Sequence, residues 1–181
     1  MLLGAVFLGT LGASQLIYAG SYGVLNEKAP SWTVDSWVKL PYGKHKIDVK
    51  DFQGKVIYLY FFQAWCPGCH AHGFPTIRKL IKHYRDNNSV DFVAIQTAFE
   101  GFHTNTPEAA KETAQKYFLK IPIGHSGSEG KPSKIMRSYR SGGTPWTVII
   151  DQKGNVVYND FHIRPYDAID LIDRLITLPS S

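Results

Sequence analysis

Cysteine is scarce in this chain, two residues in 181, and both stand within one four-residue stretch. That excludes a disulfide-stapled scaffold and leaves stability to a hydrophobic core. Methionine is as rare, with Met136 the sole internal one, so an axial methionine for a haem has a single candidate. Lysine and arginine form no block. They are scattered through Lys39, Lys44, Lys46, Arg78, Lys79, Lys82 and Arg85, so the net charge of +5 describes a solvated surface and argues against a nucleic-acid partner. No charge occurs between Met1 and Asn26. Internal repeats and low-complexity tracts are also missing. What remains, 44% hydrophobic and 13% aromatic residues, is enough for one domain with a substantial core.

The two cysteines lie in Trp65-Cys66-Pro67-Gly68-Cys69-His70, directly after the apolar run Val56-Ile57-Tyr58-Leu59-Tyr60. A strand that feeds this motif into a helix places Cys66 at a helix N-terminus, where unpaired N–H groups and the helix dipole favour thiolate over thiol. Two intervening residues bring both sulfurs within bridging distance across one turn. The expected division of labour is Cys66, exposed, as the attacking thiolate and Cys69, further inside, as the resolving thiol. Pro67 takes the first helical position, where it loses no needed donor, and Gly68 is expected to leave the face of Cys66 uncovered. Trp65 caps the apolar side of the site or fills the core.

The stretch Ile47 to Lys55, the strand and the motif together resemble the TlpA-like, or redoxin, branch of the thioredoxin superfamily. A second piece, Gly142-Gly143-Thr144-Pro145-Trp146 with Val148-Ile149-Ile150-Asp151 after it, supports the likeness, which covers roughly residues 30 to 178. The resemblance implies a thioredoxin fold of the α/β class with an added helix–strand–helix between the central strand and a cis-proline loop. It implies that Thr144 and Pro145 face the cysteines and offer a backbone edge to an extended substrate segment. The activity implied is thiol–disulfide exchange with protein substrates, more in the reducing direction, with no cofactor or metal and with a membrane protein as electron donor. Two family positions differ here. His72 stands where many relatives carry a glutamate, and Tyr60 where thioredoxin carries a buried aspartate. His72, His70 and, more weakly, Glu100 therefore become the candidates for proton transfer.

Residues 1–26 read as an export signal or membrane anchor ahead of a thioredoxin-like domain over 27–181, with membrane contact through residues 2–19 and a periplasmic or otherwise extracytoplasmic location. A helix packed on the domain is the alternative. Further along, strands are expected over Lys55 to Phe62, Val90 to Ala98, Trp146 to Asp151 and Asn155 to Phe161. Helices are expected over Cys66 to Asp86 with a kink at Pro75, from Pro107 to Phe118 with Thr106 as N-cap, over Ser133 to Tyr139, and from Pro165 to Ile176. Rival readings stay open at this point. Cys-x-x-Cys-His also matches covalent haem attachment. Cys66, Cys69, His70 and His72 are soft or borderline ligands suited to zinc or copper. A peroxiredoxin-like insertion admits a thiol peroxidase, and a non-catalytic scaffold is the plainest choice.

Overall fold

Strand β2, Val56–Phe62, is apolar at every position because both of its faces are covered, as a central strand requires. In the computed structural model, which describes residues 22–177, it forms the middle of a six-stranded sheet. The other strands are β1 (Ser36–Lys39), β3 (Val90–Thr97), β4 (Ile123–Ser126), β5 (Trp146–Ile150) and β6 (Val156–Phe161), in the order β1-β4-β3-β2-β5-β6. β2, β3 and β4 run parallel to their neighbours in that group, while β1, β5 and β6 pair antiparallel. The alternation of a strand sorts the side chains of β2 into two cores. Val56, Tyr58, Tyr60 and Phe62 join Phe74, Ile77, Leu80, Ala110, Ala168 and Ile172 on one face. Ile57, Leu59 and Phe61 join Trp32, Ile135, Tyr139 and Trp146 on the other.

Helices α1 (Phe74–His83), α2 (Pro107–Lys116) and α4 (Pro165–Thr177) supply the first core, and α3 (Lys134–Tyr139) the second. The Thr106 side chain accepts from the Ala109 N–H at 3.2 Å, which makes it the N-cap that the Thr-Pro pair predicts. α2, β4 and α3 lie in sequence between β3 and the Thr144–Pro145 peptide, which is cis. β5 and β6 form the expected antiparallel hairpin.

Three differences from the sequence reading are physical. The helix expected over Cys66 to Asp86 changes register on its way: a π-helical turn over Cys69–Gly73, closed by the Phe74 N–H donating to the Cys69 carbonyl, runs directly into α1. Pro75 stands directly after that turn, so the irregularity expected at the proline takes the form of a π-helical turn ahead of it. The edge strand β1 is an element that the sequence pattern does not announce. Finally, residues 22–26, grouped with the N-terminal segment by composition, lie on the domain. Val24 is buried, and the Gly23 and Asn26 N–H groups donate to the carbonyls of Arg140 and Val156, both at 2.8 Å. The apolar stretch 2–19, with the anchoring expected of it, is outside the described residues. Among the described residues no helix is long and apolar enough to cross a membrane.

Candidate active site

The C-terminal end of β2 delivers Gln63 to Cys66 into a loop that is held from below by one buried amide. Asn105 accepts from the Ala64 N–H at 2.8 Å and donates to the carbonyls of Glu100 and Gly101 at 3.0 and 3.2 Å. Gln63 reaches the same Glu100 carbonyl at 3.4 Å. The loops after β2 and β3 are thus tied into one unit beneath the cysteines.

Cys66 is 7% exposed, less than its expected place at an open helix start would give, and Cys69 is fully buried. Both thiols are free. The Cys66 sulfur accepts from the Cys69 N–H at 3.2 Å, so a helical donor does point at it. On its other side the sulfur stands 3.5 Å from the Thr144 carbonyl. Burial, together with the neighbouring Cys66 sulfur, pushes the Cys69 thiol up to about 12, against the Gln63 backbone and the Tyr60 hydroxyl, which favour the thiolate once it forms. At neutral pH Cys69 is therefore a protonated thiol.

Gly68 has a second task beside the expected one of keeping a face of Cys66 clear, where a Cβ would come to 4.0 Å from the sulfur. A Cβ there would stand 3.1 Å from Pro145 Cδ, so the glycine lets the Pro145 ring close onto the motif. The structure thereby brings Thr144 and Pro145 to Cys66 across 78 residues of chain. Trp65 is 45% exposed and lies against Gly101, so it belongs to the surface and not to the core. Phe99 and Phe161 are likewise exposed, and Pro67 is open to solvent beside Cys66.

The two histidines nearest the motif separate. His70 Nε2 lies 2.6 Å from the Ala64 carbonyl, which can only accept, so this nitrogen carries the proton and donates. His70 Nδ1 then accepts from the Tyr117 hydroxyl at 2.7 Å. With both nitrogens engaged and its ring stacked near Tyr117 and Phe74, His70 braces the loop. His72 is exposed and packs on His162, ring centroids 5.7 Å apart. Burial, with the nearby His72, holds His162 below the ordinary histidine range, and its Nδ1 is buried without a partner. Glu100 is exposed, and the described contacts it makes in the site are through its backbone carbonyl. The four-ligand metal set of Cys66, Cys69, His70 and His72 is not assembled, and among the described residues no three histidine, cysteine or carboxylate groups converge as a metal site. Sequence reasoning missed Asn105, Tyr117 and His162. An amide directly ahead of the helix start at Thr106-Pro107 was the one local sign for Asn105.

The comparisons with known proteins agree with this geometry. A family model described as Redoxin matches residues 25–168. The thiol-disulfide oxidoreductase ResA of Bacillus anthracis is 30% identical over 112 residues, which are 62% of this chain and 58% of that protein. The chain thus spans less than two thirds of the length of the ResA proteins it matches at this level. The thioredoxin-like protein YneN of Bacillus subtilis (strain 168) is 27% identical over 130 residues, 72% of this chain and 69% of that one. Among solved structures, the thioredoxin-like superfamily protein SPOA0173 superposes with a TM-score of 0.76 at 26% identity, covering 86% of this chain and 99% of its own. A thiol-disulfide isomerase from Corynebacterium glutamicum gives 0.71 at 28% identity, covering 83% and 98%. The architecture is the thioredoxin-like one that the sequence implies.

Proposed function

The chain belongs to the redoxin family, and on that premise we propose that it is a thiol–disulfide oxidoreductase acting on protein disulfides through the Cys66-Pro67-Gly68-Cys69 dithiol, in the reducing direction. The observation that carries this reading is the contrast between the sulfurs. Cys66, 7% exposed, sits between a helical N–H and the Thr144 carbonyl, while Cys69 is wholly buried, protonated and one turn away. Cys66 attacks a substrate disulfide and forms a mixed disulfide; Cys69 then displaces the substrate thiol and closes the Cys66–Cys69 bond. Thr144 and Pro145 give the substrate a backbone edge, and Trp65 and Pro67 flank it with apolar surface.

The reducing direction is favoured by His70. A histidine cation at Cys66 would stabilise the thiolate and make the couple oxidising, but this ring is held by Ala64 and Tyr117 instead. His72 and Glu100, both exposed, are left as proton carriers through water. Electrons enter from a membrane protein, and the site works in an extracytoplasmic compartment; the uncharged, mostly apolar segment before residue 27 supports that setting.

Trapping tests the exchange. Cys69→Ser incubated with a disulfide-bonded protein such as insulin should accumulate a covalent adduct that dithiothreitol releases, and Cys66→Ser should not. Absence of adduct in Cys69→Ser refutes the reading. A redox titration tests the direction: a potential near roughly −270 mV means a reductase, and one near roughly −120 mV an oxidant.

A further inference from the structure

Thiol exchange at this site asks a fully buried thiol to ionise, and the side chain beside it holds a donor that nothing uses. Tyr60 is fully buried on β2, its ring stacked on Phe62 at 5.9 Å and meeting Phe74 edge-on at 5.4 Å. Its hydroxyl has no hydrogen-bond partner. Tyr58, two residues earlier on the same face, pairs its hydroxyl with Thr147 at 3.2 Å, so an orphaned phenol is not forced by the strand. An unpaired buried hydroxyl is a standing cost that a phenylalanine would remove. The helix side of the site is shaped around this group: a Cβ at Gly73 would fall on the Tyr60 hydroxyl and 2.6 Å from Cζ. Gly73 closes the same π-helical turn that Cys69 opens, so the hydroxyl packs against the turn that carries the resolving sulfur, within one core cluster, and Cys69 is the charge that the phenol feels most.

We propose that Tyr60 is a positioning residue for the resolving step, its O–H aimed to donate to the Cys69 sulfur as that sulfur becomes a thiolate. The inference rests on the exchange reading of Cys66 and Cys69. In the step itself Cys69 gives up its proton, its sulfur bonds to the Cys66 sulfur, and the bond from Cys66 to the substrate sulfur breaks. The substrate leaves as a thiolate and takes up one proton from solvent, so protons and electrons balance. Tyr60 keeps its own proton throughout. Burial, reinforced by Cys69, holds its phenol well above the ordinary range, which makes it a donor and never the base. The donor is idle while Cys69 is a thiol and engaged once charge develops there, which is the condition for favouring the reacting state over the resting one.

The test uses dithiobis(nitrobenzoate), one equivalent added to the reduced full chain. Cys66 attack releases a first coloured thiolate, and Cys69 resolution releases a second. Tyr60→Phe keeps the ring and should leave the first release unchanged while slowing the second about tenfold or more at neutral pH, the effect of a charge-assisted hydrogen bond. The pH profile of the second release should move to higher pH. Incorporating 3-fluorotyrosine at position 60, a stronger donor of nearly the same shape, should accelerate it. No first release in the wild type overturns the exchange reading itself. A normal first release followed by a second one within twofold of wild type in Tyr60→Phe, or no acceleration with fluorotyrosine, overturns the role of Tyr60.

Discussion

Raising the pH on the reduced protein should unfold it through Cys69. The thiol ionises near 12 in the folded chain and near 9.0 in an ordinary setting, first because burial disfavours the thiolate. The unfolded chain therefore loses its proton first. The contribution of the buried thiol is complete below about pH 9 and drains away as pH rises toward about 12. Each pH unit inside that window is about 1.4 kcal/mol. From about pH 8 to about pH 10.5 the loss is about 2 kcal/mol, and it reaches about 4 kcal/mol when the folded-state thiol itself titrates. Buried tyrosines titrate in alkali too, so the measurement is a difference. Urea unfolding of reduced wild type and of Cys69→Ala is followed side by side at several pH values, and the tyrosines common to both cancel. The gap between the two proteins should close against the wild type by about 2 kcal/mol over that range. A gap that stays constant with pH refutes the reasoning and means that the Cys69 thiolate is tolerated in the fold.

Two further outcomes follow from the packing around the motif. Gly73→Ala should destabilise by about 1–3 kcal/mol, because the new methyl meets a phenol that Phe62 and Phe74 keep from retreating, and the thermal midpoint should fall by several degrees; a midpoint at or above wild type excludes that contact. Asn105→Ala should cost about 1–3 kcal/mol by leaving the half-buried Ala64 N–H unpaired. Hydrogen exchange at Ala64 should quicken in step, and unchanged protection there contradicts the tie between the two loops.

What the sequence made legible was what neighbouring residues determine. The run from Val56 to Phe62 reads as a covered strand by itself, Thr106-Pro107 announces a helix start, and the cysteine motif carries its own chemistry. The resemblance added the proline loop, and the structure places it 3.5 Å from Cys66. Features fixed by distant partners were illegible. β1 is four residues long and owes its existence to pairing with β4. His70 looks like a catalytic base next to Cys69, and only Tyr117, 47 residues on, turns it into a brace. Asn105 is one polar residue in a polar turn until the Ala64 N–H is seen above it. Exposure misled for the same reason: Cys66 opens a helix, but the Thr144–Pro145 loop covers it from elsewhere in the chain.

The placement of β5 beside β2 has a consequence for the protein as it is made. Strand β2 takes β3 as one neighbour early, but its other neighbour, β5, begins only at Trp146, just past Thr144, which itself lies 78 residues beyond Cys66. At about 5–20 residues per second, a ribosome needs roughly 4–16 s to supply that stretch. During this interval Cys66 has no carbonyl across from it, and the side of β2 that will receive β5 is an open, wholly apolar strand edge. The nascent chain thus passes through a period in which the Cys66 thiol and an unpaired apolar strand edge are bare together, and a chaperone or a stray disulfide that meets it then finds both at one spot.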